Sequence, residues 1–186
     1  MQNELVKNKK SKVVSGLFSF ADVIGTAFIL LLLIFMFGIR TSWVIGDSML
    51  PTLHDGQFLP ITSMPVQLKH GDVVVISDTG HRLPRKHPIV KRVIGLPGDT
   101  IDIDFSVGVV YRNGEALIEY YTSGPTYKAQ YQGGNTEFPC VVPEGRCFVM
   151  GDNRGNSSDS RARQVGMVDQ RDVLGRWMFV SKSKLS

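Results

Sequence analysis

The hydrophobic pattern changes character once along the chain. Residues 23–39, VIGTAFILLLLIFMFGI, are apolar on every helical face and carry no charge across 17 positions. Phe18 and Phe20 extend this run if Asp22 sits at the level of the lipid headgroups. At about 1.5 Å per residue, some 20 residues match a hydrocarbon core of about 30 Å. A helix buried in a water-soluble domain is rarely apolar all round, so the pattern predicts one transmembrane helix over 18–39. After residue 40 the period shortens. Runs rich in Val, Ile and aromatics are punctuated by Gly, Pro, Asn and Asp, which reads as strands at 43–45, 57–59, 73–76, 89–94, 100–103, 109–111, 147–150 and 177–180. Asn113-Gly114, between 109–111 and 116–118, signals a type I′ hairpin. Residues 102–139 are richer in tyrosine, glycine and polar side chains and read as a small β excursion from the main sheet. The expected fold is all-β: an antiparallel, partly closed β-structure with that excursion, preceded by the single N-terminal helix. No convincing amphipathic helix follows residue 40, and 181–186 reads as a frayed tail.

Charge places the segments relative to the bilayer. Lys7, Lys9, Lys10 and Lys12 precede the apolar run, whereas its other near flank offers only Arg40. Lysine excess marks the cytoplasmic side. Residues 1–17 are therefore expected inside the cell and the domain 40–186 outside, with the chain held in the plasma membrane. The run is longer than the core of a secretory signal, and Arg40-Thr41-Ser42-Trp43 is a poor cleavage site, so the anchor is expected to stay. A net charge of +4 and an isoelectric point near 9.1 suit contact with anionic lipid. The basic residues are scattered without a recognition motif, which argues against nucleic acid. Cys140 and Cys147 have no metal-motif spacing. A hairpin turning at Pro143-Glu144-Gly145 would bring them together, leaving a disulfide and two free thiols equally open.

Three segments carry more polar chemistry than folding requires: 46–53, 91–99 and 151–161. Ser48 stands in Gly46-Asp47-Ser48-Met49-Leu50-Pro51, just beyond the apolar run. It is either a turn serine capping a local backbone group or a nucleophile. As a nucleophile it needs a base to take its proton. His54, His70, His81 and His87 lack a suggestive context, whereas Lys91 sits in an apolar strand between Ile89-Val90 and Val93-Ile94. Burial disfavours the ammonium form and favours a neutral amine able to accept a proton. The alternative is a lysine snorkelling to water from a strand edge. Arg92 faces the other side by strand alternation, and a guanidinium keeps its proton. The segment 151–161, taken alone, reads as an ordered surface loop whose Asp, Asn and Ser satisfy backbone groups.

Together these segments resemble the bacterial type I signal peptidases, the membrane-anchored Ser/Lys proteases that remove signal peptides from exported proteins. Four blocks stand in that family's order: Ser-Met-x-Pro-Thr-Leu at 48–53, Gly-Asp-Val-Val at 71–74, Lys-Arg-Val-Ile-Gly-Leu-Pro-Gly-Asp at 91–99, and Gly-Asp-Asn-Arg-x-x-Ser-x-Asp-Ser-Arg at 151–161. The resemblance implies that Ser48 is the nucleophile and Lys91 the general base. Ser157 and Asp159 would orient the lysine, with Arg161 in the same network, while Asp152 and Arg154 match positions of structural character. Val44, Ile45, Leu53, Ile89 and Val90 would line shallow pockets for small residues at −1 and −3 of the signal peptide. The implied partners are preproteins, membrane lipid and the export translocon, with neither metal nor cofactor. Two features depart from the family pattern. Gly46 replaces a serine that some members use as a second oxyanion donor, and the Arg161–Gly166 spacing is longer than the common one. Two other readings compete. A catalytically silent membrane-anchored scaffold would have no need of both Ser48 and an apolar-flanked Lys91. A self-cleaving repressor would require a DNA-binding module where the apolar run stands.

Overall fold

The computed structural model describes residues 19–33, 38–62, 67–77, 87–127 and 136–178. Contacts divide the chain into two units, 1–39 and 40–186. In the first, residues 19–33 form helix α1. Fifteen residues at about 1.5 Å each cover roughly 22 Å, short of a hydrocarbon core, and among the described residues no helix is long and apolar enough to cross a membrane. The remainder of the span expected over 18–39 includes 18 and 34–37, which lie outside the described residues, as does the whole basic segment 1–17.

The second unit is built on eleven strands: β1 (Ile39–Trp43), β2 (Phe58–Thr62), β3 (Val73–Ile76), β4 (Ile89–Gly95), β5 (Thr100–Asp104), β6 (Val109–Arg112), β7 (Glu115–Ala116), β8 (Cys140–Val141), β9 (Arg146–Met150), β10 (Val168–Asp169) and β11 (Val173–Trp177). Seven form one sheet in the order β1-β2-β11-β3-β4-β9-β10, and four form a second in the order β7-β6-β5-β8. The described pairings are antiparallel. Among the described residues the ladder of the large sheet runs from β1 to β10, the antiparallel architecture expected from sequence.

Strand β3 shows why the large sheet sits at the centre. Val73 and Val75 join Val44, Met49, Leu53, Leu59, Ile61 and Val90 in one cluster, while Val74 and Ile76 join Val93, Cys147, Val149, Val165 and Val168 in another. Both faces are buried, which is why 73–76 reads as a continuous apolar run and not as an alternation. A third cluster, including Ile94, Ile101, Val110, Val142, Phe148 and Met150, welds the small sheet to the ends of β4 and β9.

The small sheet is the excursion, running from β5 to β8 and so slightly wider than 102–139. Its β6–β7 hairpin turns at Asn113-Gly114, both with positive φ (55° and 83°), as a type I′ turn requires. One expectation shifts and one open alternative is decided. The late strand lies at 173–177, several residues before the expected 177–180, because Gly175 and Arg176 pair with Val75 and Val74 despite their low apolarity. Cys140 and Cys147 are free thiols. The chain does turn between β8 and β9, but β8 pairs with β5 of the small sheet, not with β9. Cys147 then enters the large-sheet core while Cys140 packs at the small-sheet cluster. Burial pushes both thiols up, to about 12 for Cys147 and about 11 for Cys140, with nearby Asp169 and Asp102 adding to the respective shifts.

Candidate active site

The turn that carries Ser48 is pinned at two points four residues apart. Met49 and Leu53 are fully buried in the large-sheet core, and the Leu53 N–H donates to the Met49 carbonyl at 3.0 Å. With both apolar side chains directed inward, Ser48 is left half-buried at the edge of a groove. Gly46 enters the turn with φ +81°, a conformation that favours glycine, and its N–H donates to Asp55 Oδ1 at 2.7 Å. That amide is therefore engaged by the chain itself. Among the described residues the Ser48 N–H makes no hydrogen bond and is available to a ligand.

Lys91 reaches Ser48 from β4. It pairs with Val74 across the ladder, is 3% exposed, and shares its strand face with Ile89 and Val93. Its Nζ lies 2.7 Å from Ser48 Oγ and also donates to the Val90 carbonyl at 2.9 Å. A snorkelling lysine would place its ammonium in water, and this one does not. Strand alternation puts Arg92 on the opposite face, as expected. There it donates through Nε and Nη2 to Asp152 at 2.8 and 2.5 Å, and through Nη1 to the Gly71 carbonyl at 2.8 Å.

The segment 151–161 is a buried clamp and not the surface loop that its composition suggests. Asp152 accepts from Arg92 of β4 and from the Thr52 hydroxyl of the serine turn, tying the two together. The Asn153 N–H donates to the Ser48 carbonyl at 3.0 Å, and Asn153 Nδ2 donates to the Asp47 carbonyl at 3.1 Å. Gly151 lies so close that a Cβ there would collide with both the Ser48 carbonyl and Ser157 Oγ. The Gly151 N–H in turn donates to Asp159 Oδ2 at 3.0 Å. Asp159 is fully buried and takes two 2.8 Å hydrogen bonds from Arg161. Burial by itself would raise its carboxyl pKa, but the Arg161 hydrogen bonds and charge, with the Gly151 N–H, outweigh it and hold the group below the usual carboxylate range.

A groove of about 400 Å³ runs past this junction. Ser48 and Lys91 line it together with Ser157. Of the five residues expected to form substrate pockets, Val44, Ile45, Ile89 and Val90 line the groove. Leu53 does not: it is spent as core beneath the serine turn. Residues that sequence reasoning passed over include Asn156, Ser158 and Val165, all from the clamp or just after it. Their signal was the polar density of 151–161, which names a site without saying which side chains face it. His54 and His87 are exposed and lie off the groove, His70 pairs with Asp99 at 2.7 Å, and His81 is outside the described residues.

Apolar side chains near the serine turn and in the last strand divide between core and surface. Met49 is core and Trp177 packs against core, whereas Trp43, Ile45 and Phe58 are exposed, with Trp43 and Phe58 in edge-to-face contact at 5.4 Å. Met178 is exposed, Leu50 is half-buried, Pro51 is exposed, and Phe179 lies outside the described residues.

Similarity to known proteins covers this whole assembly. The family described as signal peptidase, peptidase S26, matches residues 17–181. Signal peptidase I of Bacillus licheniformis is 39% identical, over 97% of this chain and 94% of that one. Signal peptidase I S of Bacillus subtilis is 36% identical over the same shares. A solved signal peptidase I from Enterococcus faecalis is 29% identical and covers 60% of this chain and 97% of that chain, with a TM-score of 0.45. The matched span contains the serine turn, β4 and the clamp, and the chain belongs to the signal peptidase, peptidase S26, family.

Proposed function

We propose that this protein is a serine endopeptidase that removes N-terminal signal peptides from exported preproteins, with Ser48 as nucleophile and Lys91 as general base. The observation that carries the reading is the 2.7 Å contact between Lys91 Nζ and Ser48 Oγ inside a groove lined by Val44, Ile45, Ile89 and Val90. A neutral Lys91 accepts the Ser48 proton as Oγ attacks the carbonyl carbon that follows the −1 side chain. The developing oxyanion is met by the Ser48 N–H. Protonated Lys91 then gives its proton to the leaving amine, which departs as the new N-terminus of the mature protein. Water, deprotonated by the same lysine, opens the acyl-enzyme and frees the signal peptide. The Val90 carbonyl holds Nζ in line with Oγ throughout. Gly46 offers no side-chain donor and its amide is engaged by Asp55, so the second oxyanion donor used by some relatives is not supplied from this position.

Asp159 and Arg161 act on this site through the backbone, by fixing Gly151 against the Ser48 carbonyl, and Ser157 packs at the same point. The exposed Ile45 lines the groove, the exposed Trp43 stands two residues before it and packs edge-to-face on the exposed Phe58, and these side chains suit a bilayer interface, where tryptophan is favoured. Membrane lipid, the export translocon, a span over 18–39 and an extracytoplasmic 40–186 complete the proposal. It is tested by incubating the full-length protein in detergent with a preprotein. The wild type should release the mature chain at a small-residue site, and Ser48→Ala should not. Equal cleavage by both would refute the reading.

A further inference from the structure

The clamp is held from its far side by a loop of the excursion that none of the four sequence blocks contains. Tyr121 lays its ring under Arg92, with the guanidinium carbon 4.0 Å from the ring centroid. The Tyr121 hydroxyl donates to Glu119 Oε1 at 2.9 Å. Burial drives the Tyr121 hydroxyl to titrate above its ordinary range, with Glu119 adding to the shift, so the donor keeps its proton. Glu119 receives Arg154 through both terminal nitrogens, at 2.7 and 2.5 Å, and Arg154 also donates to the Gly151 carbonyl at 3.1 Å and to Thr126 Oγ1 at 2.9 Å. The Ser123 N–H donates to the Asp152 carbonyl at 3.1 Å.

Two lines of contact thus leave the excursion and converge on the same turn. One runs from Tyr121 through Arg92 and Asp152 to Thr52, and the other from Glu119 through Arg154 to Gly151 against the Ser48 carbonyl. Both arginines are almost wholly buried, so a guanidinium that loses its partner has no solvent to turn to and must shift. We infer that Tyr121 and Glu119 are positioning residues for the reaction, holding Ser48 and Lys91 in register through Arg92 and Arg154. The excursion is then part of the catalytic frame.

The inference rests on the Ser48–Lys91 reading, so Ser48→Ala and Lys91→Ala belong in the same preprotein assay. If they cleave normally, that reading fails first. With it intact, Tyr121→Leu should lower kcat per folded molecule by about 10- to 100-fold, because misplacement by about an ångström carries costs of that size. KM should change by less than about threefold, since the groove is left untouched. Tyr121→Phe keeps the ring under Arg92 and should restore kcat to within about threefold of wild type. Tyr120→Leu, one residue away and 81% exposed, should behave as wild type. Should Tyr121→Leu not fold, Glu119→Gln decides, with an expected fall in kcat of about tenfold at unchanged KM. Folded Tyr121→Leu and Glu119→Gln variants with wild-type kcat would overturn the inference, as would a loss confined to KM or an equal loss in Tyr120→Leu.

Discussion

The proposed chemistry turns on Lys91, whose contact with Ser48 would leave no need of a histidine. Lys91→Ala should lower preprotein cleavage by about three orders of magnitude or more, as removal of a nucleophile or its base does elsewhere. Lys91→Arg should fail equally, since a guanidinium cannot accept the Ser48 proton; near-normal cleavage by that variant would remove lysine from the base role. A base that works as the neutral amine also fixes the sign of the pH dependence. The rate should climb with pH as the amine loses its proton, and a profile flat from about pH 5 to 9 would exclude a titrating base from the slow step. Sequence reasoning could reach this residue because four apolar neighbours flank a single lysine. It could not anticipate that Leu53, equally apolar and in the same block as Ser48, would be spent as core beneath the turn.

At the scale of elements, the clamp loop 151–161 decides how two distant segments meet. Its charged members are buried pairs, Asp152 with Arg92 and Asp159 with Arg161. Asp152→Ala leaves Arg92 without its carboxylate partner and should cost about 3–5 kcal/mol of stability, read from denaturant midpoints. The Asp159 carboxyl titrates below its unfolded value, so the unfolded chain binds more protons as the pH falls below about 4. Its contribution is present above that pH and lost on acidification. Asp159→Asn should flatten the acid limb of the stability profile, measured by thermal melting across pH. A melting curve as steep in acid as the wild type would show that other groups carry that limb. The polar density of 151–161 was visible in the sequence, but composition cannot separate a solvated loop from a buried one. Burial came from partners about 35 to 100 positions away, Glu119 and Thr52 among them.

For the whole molecule, the contact division after Ile39 places the site entirely within 40–186. A fragment beginning near Arg40 should fold, cleave preprotein, and need detergent or lipid for its full rate, because Trp43, Ile45 and Phe58 present exposed apolar surface. Activity indifferent to both additives would show that these side chains have no lipid role. Both thiols are free, so reductant should leave the melting temperature unchanged; a fall on reduction would mean that a bridge forms.

What the sequence determined by itself was local or periodic. Strands expected at 73–76, 89–94 and 100–103 from β-branched runs between turn residues form there, the last two running one residue further, and the hairpin followed from Asn113-Gly114, whose backbone preference acts over four residues. Ser48 and Lys91 could likewise be singled out, because each stands in a local context that is chemically unusual, and they lie in contact. Tertiary structure alone decided the rest. Whether β8 would pair with β9 or with β5 was a choice between sheets that strand propensity does not encode. That choice separated Cys140 from Cys147. The assembly of Tyr121, Arg92, Asp152 and Thr52 into one line required segments up to 100 residues apart, and only the packing of the small sheet on β4 and β9 brings them together.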